Sequence, residues 1–216
     1  MTAAVLFDLD GTLADTARDL GGALNRLLAE EDRPAVSYAT LRPHVSGGVR
    51  ALLRVGFGIG AEDARYAELH RRFLAHYESA ICAETVLFDG VAELLKALED
   101  RGIAWGVVTN KTQRFTLALA EALGLRQRAA CLVCGDSSHR AKPDARPLLL
   151  ACRLANAAPA QTLYVGDDLR DVQAGQAAGI GTVAVRYGYL GDGQPIDQWG
   201  ADFVIDVPGE ILPLLG

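Results

Sequence analysis

Asp8 and Asp10 stand two residues apart directly after the apolar run Val5-Leu6-Phe7, and Gly11 and Thr12 follow them. A short apolar run passing into acids and a glycine predicts a buried strand that ends in a polar turn. Side chains alternate across a strand, so residues 8 and 10 point one way and Leu9 the other. Two carboxylates about 4 Å apart at an effective dielectric near 20 repel by roughly 4 kcal/mol. Such a pair calls for a cation, a shared proton or a phosphoryl group beside it. An Asx-type turn with a conformationally free glycine would use the same residues without any chemistry. Average residue usage, however, makes the full string Asp-x-Asp-Gly-Thr behind a first strand a rare accident.

The elements that must hold this pair fall into two kinds. From Asp15 to about Ala83 the pattern is helical and amphipathic, with no convincing strand: Ala17, Leu20, Leu24, Leu27 and Leu28 recur at helical steps, as do Tyr66, Leu69, Phe73 and Tyr77. Asp15 is read as the N-cap of the first of these helices and Ser37 as the N-cap of a short one, while Ser46-Gly47-Gly48 opens another around Val49 to Val55. From Leu87 onward, helices and strands alternate. Strands are expected at Ala104 to Val108, Ala130 to Cys134, Thr162 to Val165, Thr182 to Val185 and Phe203 to Ile205. The intervening helices run from Val91 to Leu98, Phe115 to Leu123, Ala145 to Leu154 and Leu169 to Ala178. That alternation signals a parallel sheet with helices on both faces. A single strand ahead of a helical insertion must join the same sheet. The expected fold is therefore α/β, a Rossmann-like core of residues 1–16 plus 85–216 with an all-helical cap of residues 17–84 spliced into it. Gly188 to Gly200 reads as a surface loop.

Ligands of an open parallel sheet gather beyond the carboxyl ends of its strands. The strands here end in Asp8-Leu9-Asp10, Thr109-Asn110-Lys111, Gly135-Asp136 and Gly166-Asp167-Asp168, and Lys142-Pro143 lies between the last two. These motifs in this order resemble the haloacid dehalogenase-like superfamily of aspartate-nucleophile phosphatases. The resemblance implies that Asp8 attacks phosphorus and that Asp10 protonates the leaving oxygen, then takes a proton from the incoming water. It implies Mg2+ as cofactor, held by Asp8, the Asp10 backbone carbonyl and Asp167, with Asp168 and Asp171 as weaker, outer-shell ligands or partners of Lys142. Thr109 and Lys142 would hold and balance the phosphoryl group, with Thr12, Asn110 and Lys111 near the substrate. A helix-start acid stabilised by the dipole is the plain alternative for Asp171. In the cap, Ser46-Gly47-Gly48 with Arg50 suits closure over a small anion; a helix start with an exposed arginine is the alternative. Together with Trp105 to Lys111, Arg186-Tyr187-Gly188-Tyr189 and Trp199 to Asp202, this stretch is similar to the phosphoglycolate phosphatase group. It looks closer still to the bacterial branch acting on N-acetylmuramic acid 6-phosphate.

Composition narrows the partners. The chain has 216 residues, half of them hydrophobic, and a net charge of -6, which suits a folded core and disfavours nucleic acid and anionic membranes. No apolar run approaches a membrane span, and Met1-Thr-Ala-Ala leads into a strand without a basic region, so a cytoplasmic protein is expected. The expected partner is a small phosphorylated metabolite, for a monomer or a homodimer. Cys82, Cys131, Cys134 and Cys152 are too scattered for a disulfide framework, and Cys131 and Cys134 are expected to be buried apolar residues. His44, His70, His76 and His139 show no ligand spacing. Two other readings share the carboxylates: a sugar phosphomutase of the same superfamily and a phospho-accepting signalling module. A compact signalling module has no use for an insertion of about 70 residues.

Overall fold

The computed structural model describes residues 2–191 and 193–216. The first strand, β1 (Ala4–Phe7), is followed by a two-residue strand β2 (Ala14–Asp15) that pairs antiparallel with β3 (Val86–Leu87). Between β2 and β3 run four helices: α1 (Ala17–Glu30), α2 (Tyr38–Leu41), α3 (Gly48–Phe57) and α4 (Tyr66–Glu78). The rest alternates as α5 (Val91–Asp100), β4 (Ala104–Val108), α6 (Gln113–Ala122), β5 (Leu132–Val133), α7 (Arg146–Leu154), β6 (Thr162–Gly166), α8 (Leu169–Ala178), β7 (Gly181–Val185) and β8 (Phe203–Ile205). Six strands form one parallel sheet in the order β5-β4-β1-β6-β7-β8, with β1 inside it.

Alternation along β1 sets the two layers. Val5 and Phe7, with Leu9 beyond the strand end, join Trp105, Val107 and Val165 against α5 and α6. Leu6 faces the other way into a cluster with Val108, Tyr164, Leu148 on α7 and Ala174 on α8. Because parallel strands are covered on both faces, they read as continuous apolar runs rather than alternating ones. β5 is shorter than Ala130 to Cys134 because, as an edge strand, it pairs only with β4. Cys131 and Cys152 are buried in the Leu6 cluster and the thiols are unpaired, so packing accounts for them.

Helices α1 to α4 share a separate cluster that includes Leu24, Leu27, Leu52, Phe73 and Tyr77. The chain passes between the two clusters twice, and buried Asp19 ties the passages together. Its carboxylate accepts from Thr85 N at 2.9 Å, Thr85 Oγ1 at 2.6 Å and Glu84 N at 3.0 Å. Two sequence expectations change here. Thr16, not Asp15, is the residue before α1, and the helix start is served by a distant phenol: Tyr189 OH accepts from Thr16 N at 2.7 Å and Ala17 N at 3.1 Å. Asp15 lies in β2, where it accepts from that same phenol at 2.9 Å and from Ala17 N at 3.2 Å. Nor is Gly188 to Gly200 only a surface loop. Tyr189, Ile196 and Trp199 are buried, the last two against Val172 and Ala184. The glycines and acids of that stretch hide its three apolar anchors; Asp192 lies outside the described residues.

Leu6 is fully buried at the centre of the sheet. Truncation to alanine is expected to cost about 2–5 kcal/mol of stability, read as a lower urea midpoint at unchanged m-value.

Candidate active site

The carboxyl ends of β1, β4 and β6 converge on one cavity of about 340 Å³. Asp8, Asp10, Thr109, Asn110, Lys111 and Lys142 all line it. The alternation expected from the spacing holds past the strand end, since Leu9 is buried with Val5 and Phe7 while both acids face the cavity.

Each acid of the pair has its own lysine. Lys142 Nζ lies 3.0 Å from Asp8 Oδ1 and 2.8 Å from Asp171 Oδ1, and it also donates to Val108 O at 3.0 Å and Tyr164 OH at 2.7 Å. Burial works to lower this lysine's pKa, but the charges of Asp171 and Asp8 outweigh it and hold the ammonium above its ordinary value. Asp8 Oδ1 also accepts from Leu9 N at 2.7 Å. Its Oδ2 has no protein partner among the described residues. Burial raises the Asp8 carboxyl to about 7 against the pull of Lys142, with the charges of Asp171 and Asp10 adding to the rise. Asp10 is held through its Oδ1 as well, by Lys111 Nζ at 2.8 Å and Thr16 Oγ1 at 2.6 Å. Lys111 in turn donates to Tyr77 OH on α4 at 2.9 Å.

Asp167 lies beneath the cavity, fully buried. It accepts from Thr12 Oγ1 at 3.1 Å, Ser46 Oγ at 3.0 Å and Tyr189 N at 2.9 Å, all of them neutral groups. Burial, with the charges of Asp8 and Asp171, pushes its carboxyl well above the usual range. The backbone closes tightly around it. A Cβ on Gly11, whose φ is +81°, would lie 2.2 Å from Asp167 Oδ2, and one on Gly188 would lie 2.1 Å from its Cβ. Asp8, Asp167 and Asp171 bring one oxygen each within 4.8 Å of one another, a donor set suited to a hard cation.

Several expected residues stand differently. Asp168 caps α8 through Arg170 N at 2.9 Å and pairs with the Arg170 guanidinium at 2.7 Å. Burial raises its carboxyl, but Arg170 outweighs that and holds it below the ordinary value. It is Asp171 that joins Asp8 and Asp167, because one helical turn turns residue 171 back under the sheet end, where it also accepts from Asp168 N at 3.1 Å. Thr12 is fully buried against Asp167 and does not line the cavity, since the tight turn after Asp10 aims it inward. Arg50 is exposed and outside the cavity: the inward face of α3 belongs to Leu52 and Leu53. The arginine that does line the cavity is Arg170, which also donates to Ser46 O at 2.6 Å. Ser46, Gly47 and Gly48 line it as expected. Asn110 exchanges two hydrogen bonds with the Lys142 backbone, of 3.0 and 2.9 Å, and Thr109 Oγ1 accepts from Lys111 N at 3.2 Å.

Thr16, Tyr77, Tyr164 and Arg170 escaped sequence reading. Arg170 sits inside the acidic motif and Tyr164 two residues before Gly166, where attention to motif neighbours would have found them. Thr16 and Tyr77 carry no such signal, because only folding brings them to Asp10 and Lys111.

The chain matches the haloacid dehalogenase-like hydrolase family over residues 5–185. It is 45% identical over 208 residues to an N-acetylmuramic acid 6-phosphate phosphatase of Pseudomonas putida, covering 96% of this chain and 93% of that one. It is 44% identical over 209 residues to a phosphoglycolate phosphatase of Xanthomonas campestris pv. campestris, covering 96% and 94%. The crystal structure of a predicted phosphoglycolate phosphatase from Haemophilus somnus superposes with a TM-score of 0.88 at 27% identity, over all of this chain and 98% of that one. The motif order, the six-stranded parallel sheet and these likenesses agree: the chain belongs to the haloacid dehalogenase-like hydrolase family.

Proposed function

We propose that this protein hydrolyses the phosphomonoester of a small anionic metabolite, phosphoglycolate or N-acetylmuramic acid 6-phosphate, with Mg2+ and through an aspartyl-phosphate intermediate. The protein is a phosphoric monoester hydrolase, the class to which its relatives belong. The observation that carries the mechanism is the asymmetry of the two acids: each lines the cavity with one oxygen held by a lysine and the other without a protein partner among the described residues. Asp8 Oδ2 attacks phosphorus as the ester P–O bond breaks, and Asp10 gives its proton to the leaving oxygen. Asp10 then takes a proton from water, whose oxygen attacks the acyl phosphate, releasing phosphate and restoring Asp8. Thr109 has its hydroxyl proton available for a phosphoryl oxygen, and Lys142 offsets the negative charge of nucleophile and phosphate. Lys111 orients Asp10.

The charge balance of the site fits a divalent cation. Among the described residues, Asp8, Asp10 and Asp171 are ion-paired only with Lys111 and Lys142, Asp167 has no cationic partner, and Arg170, which also lines the cavity, is paired with Asp168. Asp8, Asp167 and Asp171 offer the oxygens that would hold Mg2+, which supplies positive charge to the phosphoryl group when bound. In this reading residues 17–84 act as a cap on the core of residues 1–16 plus 85–216, supported by an apolar cluster built mostly from these residues, which Phe115 and Tyr189 join from the core. Leu20, Val45, Val49 and Leu74 give the cavity an apolar wall, and its volume suits a substrate larger than a two-carbon acid. No helix among the described residues is long and apolar enough to cross a membrane.

Asp8→Asn is expected to lower the Mg2+-dependent hydrolysis of p-nitrophenyl phosphate by more than about a thousandfold, and undiminished turnover would refute the assignment. Stability in EDTA supplies an independent check. The unfolded Asp8 carboxyl ionises near 3.8, whereas the folded one keeps its proton up to about 7. Between these values the folded state binds more protons, so Tm is expected to fall as pH rises from about 4 to 7. Asp167→Asn is expected to abolish the rise in Tm that Mg2+ causes in the parent protein, read by thermal melts in EDTA and in Mg2+.

A further inference from the structure

The cavity wall contributed by residues 17–84 is apolar apart from three side chains, Ser46, His70 and Tyr77. Two of these are already engaged. Ser46 Oγ donates to Asp167 and Tyr77 OH accepts from Lys111. The ring nitrogens of His70 have no hydrogen-bond partner among the described residues, and its one aromatic contact is Tyr66, one turn earlier, at 5.6 Å between centroids. A neutral imidazole presents one donor and one acceptor, so an unengaged ring facing a largely apolar cavity is a recognition element waiting for a polar group. Burial pushes the His70 pKa below its ordinary value, which keeps the ring neutral near pH 7.

Its position says which part of a ligand it meets. His70, Leu74 and Tyr77 form one stripe along α4 over the cavity. Tyr77 reaches the chemical end, through Lys111 to Asp10. Seven residues of helix separate His70 from Tyr77 by roughly 10 Å along the axis, so the imidazole lines a part of the cavity apart from the end that Tyr77 shares with Lys111.

We propose that His70 is a specificity-determining residue that hydrogen-bonds a hydroxyl or amide on the non-phosphate end of a sugar-sized phosphomonoester. The inference rests on the phosphatase reading above. It is tested by measuring kcat/KM of the full-length parent, His70→Ala and His70→Gln with N-acetylmuramic acid 6-phosphate and with phosphoglycolate in Mg2+, alongside thermal melts. Loss of one hydrogen bond is expected to lower the sugar-to-glycolate ratio of His70→Ala by about tenfold, through KM, with glutamine restoring part of it. A ratio within twofold of the parent, or a matching loss of kcat on both esters, overturns the role of His70. So does a parent protein that hydrolyses phosphoglycolate but not the sugar phosphate, and that outcome leaves the phosphatase reading standing. A parent inactive on both esters and on p-nitrophenyl phosphate removes the phosphatase reading itself and His70's role with it.

Discussion

The buried ammonium of Lys142 is the interaction on which the remainder of the site depends. It is 2% exposed at its side chain and touches Asp8, Asp171, the Val108 carbonyl and the Tyr164 hydroxyl. Burying an isolated charge costs several kcal/mol, and only good geometry with every remaining proton satisfied offsets that cost. Four acceptors, from the ends of β1 and β4, the middle of β6 and the first turn of α8, meet the requirement. The loop carrying Lys142, the end of β4 and the first turn of α8 must therefore be in register before the cation is tolerable. The same arrangement leaves a surplus of negative charge around Asp167, which neutral hydrogen bonds soften without cancelling. Even with Lys111 on Asp10, the site is in this way still short of positive charge, a condition that a divalent cation would relieve.

The helical segment is coupled to that centre through polar contacts and through Phe115 and Tyr189, which pack into its apolar cluster. Ser46 is bracketed by Asp167 and Arg170, and Arg42 donates to the Tyr187 and Gly188 carbonyls at 2.8 and 2.9 Å. Tyr77 meets Lys111 at the cavity itself. Asp19, buried in the first turn of α1, bonds that helix to Glu84 and Thr85 where the chain returns to the sheet.

Much of the fold was legible in the chain. The strand at Ala104 to Val108 and the helix at Leu169 to Ala178 formed with the expected bounds, since buried parallel strands and capped amphipathic helices leave period and punctuation in the residues themselves. The Gly188 to Gly200 stretch misled because glycines and acids outnumber its three buried anchors. Arg50 misled for a related reason. A cation after a glycine-rich turn looks poised for an anion, yet helix phase, set by Leu52 and Leu53, turned it to solvent.

What the sequence determined by itself was the inventory: a pair of acids at a strand end, a lysine, a second acidic cluster, and the order that brings strand ends to one side of a sheet. These are local properties, carried by alternation and by motif spacing. What only the tertiary structure decided was the pairing. Lys142 goes to Asp8 and Lys111 to Asp10, Asp171 rather than Asp168 joins Asp167, and Arg170 rather than Arg50 reaches the cavity. Those choices depend on the rotation of a helix turn and on contacts between residues more than a hundred positions apart, and neither leaves a trace in the chain at short range.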